Sequence, residues 1–264
     1  MPNKWYVEVY VGQEILHLGE PFIRKDDQTI LSFLSTCLPD PSFTIVAEDN
    51  YHFLVSTDFD TFNNEDDVLR YAQSQLPILN GIMKIKFDRN IQRIKIGDVY
   101  HRDSNGYLTR TCMRATFIQS ALFPLESSLQ SANIHKPNVA EMLEMAKNNP
   151  LVAEALQYFA TSHNWYSLEK IFDLIANYMG KAENNSKVPK GTFNTWTCGR
   201  NFGIQGPGKS FDFLQTAHSY YWSGFNARHS SVGSKQKAGV NPMSLNEAIE
   251  YITDIFIKWL QINP

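Results

Sequence analysis

The chain has 264 residues, enough for one large domain or two smaller ones, and its 43% hydrophobic and 13% aromatic content excludes wholesale disorder. A formal net charge of −3 excludes a globally basic nucleic-acid binder, so any basic surface must be local. The three cysteines, Cys37, Cys112 and Cys198, are scattered and form no CxxC pair, which supports neither a disulfide framework nor a zinc knuckle and fits a reducing, cytoplasmic setting.

No run of roughly 18 apolar residues occurs, so no membrane span is expected. Trp5 to Val11 is too short for a secretory signal and is interrupted by Glu8. In that same stretch Trp5, Val7, Val9 and Val11 share one face and Tyr6, Glu8 and Tyr10 the other, which predicts a half-buried strand. Phe43 to Ala47 and Tyr51 to Thr57 read as a second pair of strands across Glu48-Asp49-Asn50. A helix follows, with Asp66 and Asp67 at its positive end and Val68, Leu69, Ala72, Leu76, Leu79 and Met83 recurring every three or four residues. Pro77 is a potential kink. Arg93 to Tyr100 and Tyr107 to Gln119 form the best hairpin, with Asp103-Ser104-Asn105-Gly106 as its turn.

The stretch from Phe123 to Pro137 carries prolines and serines and reads as a linker. Helices are expected after it. They run from Asn138 to Lys147, from Leu151 to Ser162 (with Leu151, Ala155, Tyr158 and Phe159 on one side), from Trp165 to Met179 with Gly180 as its stop, and from Phe211 to Trp222. A last helix spans Leu245 to Ile262. Ser244 and Glu247 form its capping box, and Leu245, Ile249, Ile252, Phe256 and Trp259 line its buried face. The predicted class is therefore α+β: a strand-rich module over residues 1–122, then a helical bundle over residues 138–264.

Gly203-Ile204-Gln205-Gly206-Pro207-Gly208-Lys209-Ser210 fits the phosphate-loop pattern GxxxxGK[ST], in which backbone N–H groups and the lysine would hold phosphates. The preceding residues are not a buried strand, and only 54 residues follow Ser210, so a glycine-rich loop leading into a helix is the favoured reading over nucleotide hydrolysis. Arg93 and Lys95 alternate on one strand of the hairpin, and Arg110 and Arg114 on the other, with Arg102 near the turn. Such a ribbon either tracks a phosphate backbone or is a solvated sheet face that discourages edge pairing, the latter being favoured. None of the seven histidines has HExxH or i, i+4 spacing with another ligand, so no metal site and no cofactor is expected.

Arg228 and His229 remain, in a loop with Asn226 ahead of the last helix. Arginine offers a phosphate a planar fork of donors, and histidine moves protons near neutral pH. The competing reading is structural, with the arginine on a carboxylate or helix end and the histidine packed beneath the loop.

The helical half resembles the HEPN superfamily of small helical bundles from bacterial abortive-infection and RNA-processing systems. The likeness is carried by Trp165-Tyr166-Ser167-Leu168-Glu169-Lys170-Ile171-Phe172, by Ala227-Arg228-His229-Ser230, and by Pro242-Met243-Ser244-Leu245 opening a final helix that ends in Trp259-Leu260. The resemblance implies a protein that recognises RNA or a nucleotide and dimerises through its helical domain, with no membrane partner. It further implies metal-independent ribonuclease activity, with Arg228 and His229 as the catalytic pair. Asn226, Arg200, Lys209, Arg110 and Arg114 would then bind the ligand. Members of that superfamily separate the arginine and histidine by four to six residues; here they are adjacent, and no R-x(4–6)-H occurs. A non-enzymatic interaction module and a nucleotide binder using Gly203 to Ser210 therefore stay open.

Overall fold

A computed structural model of the chain describes residues 4–11, 15–17, 20–22, 28–38, 43–48, 51–87, 93–112, 138–161, 164–198, 208–219, 223 and 240–262. The fold is α+β: an antiparallel five-stranded sheet in the N-terminal half, then mostly helices. The chain divides into two compact units, Met1–Ala132 with Pro137–Glu144, and Asn133–Lys136 with Met145–Pro264.

In the first unit the strands are β1 (Trp5–Val11), β4 (Phe43–Glu48), β5 (Tyr51–Ser56), β6 (Ile94–Arg102) and β7 (Leu108–Cys112), ordered β4-β5-β1-β6-β7. The short strands β2 (Ile15–His17) and β3 (Glu20–Phe22) pair separately. Helix α1 (Gln28–Cys37) packs on β1 and β4, and α2 (Glu65–Phe87) on β1 and β6. The sequence pattern did not signal α1, β2 or β3.

The pairing of β4 with β5 and of β6 with β7 follows the predicted hairpins, and Asp103 Oδ1 accepts from the N–H groups of Asn105 and Tyr107 in the β6–β7 turn. The expectation that β1 is half-buried needs correction, because all seven of its residues are buried. Period two misleads here because β1 is the central strand. Tyr6, Phe53 and Val55, with Val46, Tyr100 and Leu108, form an apolar cluster on the face opposite Val7, Val9 and Val11.

Opposite Glu8 the register of β6 slips by one, so two residues, Gly97 and Asp98, face a single one. Glu8 Oε2 accepts from the Asp98 N–H at 3.2 Å, and a Cβ placed on Gly97 would lie 2.7 Å from the same oxygen. Only glycine leaves room for a buried carboxylate to fold back on the bulge. Helix α2 begins with a reciprocal cap: the Asp67 N–H donates to Asn64 Oδ1 at 2.9 Å, and Asn64 Nδ2 donates to Asp67 Oδ2 at 2.8 Å. The helix runs through Pro77.

Helix α3 (Val139–Asn148) opens on a second reciprocal cap, between Asn138 and Glu141. In the second unit the helices are α4 (Pro150–Thr161), α5 (Trp165–Asn184), α6 (Thr192–Cys198), α7 (Lys209–His218) and α8 (Leu245–Ile262). Leu168, Ile171, Phe172, Ile175 and Met179 of α5 recur at helical spacing, and all are buried. Gly180 does not end that helix. It is exposed and a Cβ there would meet nothing, and the helix continues past it to Asn184 despite a cost of about 1 kcal/mol for a glycine in a helix interior. The buried face of α4 is rotated from the expected one: Val152, Ala155, Leu156, Phe159 and Ala160 are buried and Leu151 is exposed.

The predicted capping box of α8 is present. Ser244 N and Oγ donate to Glu247 Oε2 at 2.7 and 2.8 Å, and the Glu247 N–H donates back to Ser244 Oγ at 3.2 Å. Its buried face is broader than expected, comprising Ala248, Tyr251, Ile252, Ile255, Phe256, Ile257, Trp259 and Leu260, with Leu245 and Ile249 half-buried.

Candidate functional site

The second unit builds one pair of side chains with the chemistry of a proton-transfer site. Trp165, Glu169 and Phe172 fall on one face of α5, spaced i, i+4 and i+7. Trp165 and Phe172 both contact Phe213 of α7, with ring centroids 6.0 and 5.6 Å apart. Phe213 is fully buried and also meets Tyr251 of α8 at 5.9 Å, so three helices converge on one ring. This aromatic packing fixes the placement of α7 on α5. Glu169 lies between the two aromatic contacts, and His218, at the C-terminal end of α7, reaches it: Nε2 of His218 is 2.7 Å from Oε1 of Glu169.

The two partners differ in solvent contact. The Glu169 side chain is 2% exposed and the His218 side chain 39% exposed. A buried carboxylate is costly to ionise without a donor, and the imidazole N–H supplies one. In return the carboxylate fixes which ring nitrogen carries the proton and how the ring is oriented, while the ring stays within reach of solvent.

Both ends of the segment that follows His218 are tied back to α7. On the outgoing side Ser223 Oγ donates to the Thr216 carbonyl. On the returning side the Asn241 N–H donates to Asp212 Oδ1 at 2.9 Å, and the Met243 N–H donates to Thr216 Oγ1 at 3.2 Å. Asn226, Arg228 and His229 belong to the intervening stretch and lie outside the described residues, as do Arg200 and Arg114.

The remaining expected site residues are described. Lys209 is exposed in the first turn of α7, with Gly208 as the N-cap; Gly203 to Pro207 lie outside the described residues. The described element before Gly208 is the helix α6, whereas a phosphate loop is preceded by a strand. Arg110 forms an ion pair with Asp98, and Arg102 pairs with Glu48 while lying 4.6 Å from the centre of the Tyr6 ring. Lys95 Nζ is 5.8 Å from the Tyr10 ring centre. Three cations of the basic ribbon are thus engaged with partners on the sheet itself.

Nothing in the sequence pattern singled out His218 or a carboxylate partner for it. The two residues are 49 positions apart, and neither falls in a recognisable motif for acid–base chemistry. Among the described residues no group of three or more His, Cys, Asp and Glu side chains is arranged to hold a metal ion. No helix among them is long and apolar enough to cross a membrane. Comparison of the chain with protein-family profiles, with curated proteins and with solved structures finds no match.

Proposed function

We propose that the helical unit is a HEPN-like domain that recognises RNA and cleaves it by metal-independent acid–base chemistry in the cytoplasm, as a homodimer, in phage defence or stress response. The observation that carries this reading is the half-exposed His218 held on the buried Glu169. An imidazole so held can remove a proton from a ribose 2′-hydroxyl and return one to the leaving oxygen. Charge developing on the phosphorane would need a cationic partner, and Arg228 is the candidate, with His229 as a second proton carrier and Asn226 shaping the loop. These three lie 8 to 11 residues beyond His218, on a segment whose two ends are both bonded to α7.

The test is incubation of the full chain with a mixed RNA pool in EDTA, beside His218→Ala, Glu169→Gln and Arg228→Ala. Loss of cleavage in all three at unchanged melting temperature supports the reading. Cleavage that needs added magnesium, or that survives His218→Ala, overturns it.

A second reading is favoured by the same pair. Removing His218 takes a hydrogen-bond donor from a buried carboxylate, which is destabilising, so a structural Glu169–His218 bond in a non-enzymatic interaction module would give variants with lowered melting temperature and a wild type inert toward RNA.

A further inference from the structure

Two Asn-Gly dipeptides occur in the chain, Asn80-Gly81 and Asn105-Gly106, and the fold treats them oppositely. The contrast has covalent consequences. In an Asn-Gly dipeptide the backbone nitrogen of the glycine can attack the side-chain carbonyl carbon of the asparagine, because glycine has no Cβ to obstruct the approach.

Asn80 and Gly81 lie inside α2, and both are buried. The Asn80 carboxamide is clamped on the backbone of Ile94 at both ends: Nδ2 donates to the Ile94 carbonyl at 3.0 Å, and Oδ1 accepts from the Ile94 N–H at 2.7 Å. The Gly81 nitrogen sits in the helix interior, where each backbone N–H bonds the preceding turn. The two groups that would react are thus held apart by the fold.

Asn105 and Gly106 occupy the β6–β7 turn, and both are exposed. No hydrogen bond among the described residues holds the Asn105 carboxamide. Gly106 has a φ of +87°, and a Cβ there would meet nothing within 4 Å, so the space around the dipeptide is open. The turn itself is centred on Asp103. Its carbonyl accepts from the Gly106 N–H at 3.1 Å, its N–H donates to the Tyr107 carbonyl at 3.0 Å, and its Oδ1 accepts from the Asn105 and Tyr107 N–H groups at 2.9 Å each. The attacking nitrogen is therefore engaged only by one turn bond at the surface, not by a helix or a sheet ladder.

We propose that Asn105 is a site of spontaneous covalent modification, converted through a cyclic imide to aspartate and isoaspartate, and that the isoaspartyl product loosens β7 from β6. In the first step the bond from the Gly106 nitrogen to Asn105 Cγ forms and the Cγ–Nδ2 bond breaks. The proton from the Gly106 nitrogen leaves with the amide group as ammonia. In the second step water gives its hydroxyl to one ring carbonyl and its other proton to the ring nitrogen. Opening at Cγ yields aspartate. Opening at the main-chain carbonyl yields isoaspartate, with the chain running through Cβ. Water is the only co-reactant. Either product sets a new carboxylate near that of Asp103, and isoaspartate also lengthens the main chain by a methylene within a tight turn. Strand β7 is the sheet edge and pairs only with β6, so the loss of turn bonds falls on it.

The test incubates the full chain at neutral and at mildly alkaline pH and follows both dipeptides by peptide mass spectrometry, with fragmentation that separates isoaspartate from aspartate. Asn105 should convert faster than Asn80 by on the order of tenfold or more, since Asn80 reacts only when α2 opens. Conversion should quicken as pH rises, because the attacking nitrogen must lose its proton, and isoaspartate should accumulate alongside aspartate. In urea the two asparagines should react at similar rates. Amide exchange across Leu108–Cys112 should rise in the incubated wild type and stay constant in Asn105→Gln, whose side chain would need a larger ring. Asn105 that converts in urea but not in the folded chain, equal rates at both sites in the folded chain, or aspartate without isoaspartate would overturn the proposal. Isoaspartate with unchanged exchange in β7 would overturn the loosening. These readouts are covalent and local to the first unit, so they stand or fall apart from the Glu169–His218 reading.

Discussion

Replacing Asn80 by leucine tests the logic of the first unit most directly. The side chain is of similar size and apolar, so the substitution deletes hydrogen bonding with little change in volume. Both hydrogen bonds to Ile94 are lost, and Ile94 is itself buried, at 1% exposure. Its N–H and C=O would be left in an apolar setting, each unsatisfied group costing about 1–3 kcal/mol. A gain from burying an apolar side chain offsets part of this, leaving a net loss on the order of 2–4 kcal/mol. At a urea slope of about 1–3 kcal/mol per molar, the unfolding midpoint of the first unit falls by roughly 0.7–4 M. Asn80→Asp gives a second, independent reading: one carboxylate oxygen still accepts from the Ile94 N–H, but the other is set against the Ile94 carbonyl. It should therefore destabilise at least as much as leucine does at neutral pH and recover as the carboxyl is protonated. A loss below about 1 kcal/mol for Asn80→Leu, or an aspartate variant indifferent to pH, would refute the clamp.

Three further outcomes are expected. Gly97→Ala drives a Cβ to within 2.7 Å of Glu8 Oε2 and 2.8 Å of its Cδ, so it should destabilise by about 1–3 kcal/mol, and Glu8→Ala in the same chain should recover most of that; additive losses in the double-mutant cycle would contradict the clash. Burial raises the Glu8 carboxyl above its ordinary value, so stability is lost as pH rises from the unfolded value through the folded one; Glu8→Gln, which keeps an acceptor for Asp98, should retain that stability in denaturation curves at pH 7, and a flat difference between acid and neutral pH would count against it. Burial lowers the His52 imidazole below its ordinary 6.5, so its contribution is present above that value and lost as pH falls through the folded one; the wild type should lose more stability on acidification than His52→Gln, and equal losses would show the ring to be solvated.

Much of the fold could be read from local pattern, and the exceptions share a cause. The capping box at Ser244 and Glu247 spans three residues, so its geometry is written in adjacent letters, and α8 begins where those letters place it. The same holds for the stripe in α5 and for the β6–β7 turn. Burial of β1 on both faces could not be read in this way. Tyr6, Glu8 and Tyr10 look like a solvent face until β1 is known to lie at the centre of the sheet, and that position depends on pairing with β5 and β6, as distant along the chain as Trp5 with His101. Gly180 failed for the converse reason. A glycine is a helix stop only when the chain needs a left-handed residue there, and Gly180 keeps a right-handed helical backbone, so the helix continues to Asn184.

The candidate site shows the same limit in chemical form. Adjacency in sequence singled out Arg228 and His229, because two useful functional groups stood side by side. What makes a histidine a proton-transfer group, however, is the partner that orients its ring and stabilises its charged form. A neighbour along the chain rarely supplies that, since successive side chains diverge by about 100° on a helix and to opposite faces on a strand. The buried Glu169 supplies it for His218 from another helix, aligned by Trp165, Phe172 and Phe213, none of which is titratable. Residues of the hydrophobic core are thus the ones that set the distance between the two polar groups. A substitution such as Phe213→Ala, although remote from any titrating atom, should loosen the Glu169–His218 contact along with the packing of α5 on α7.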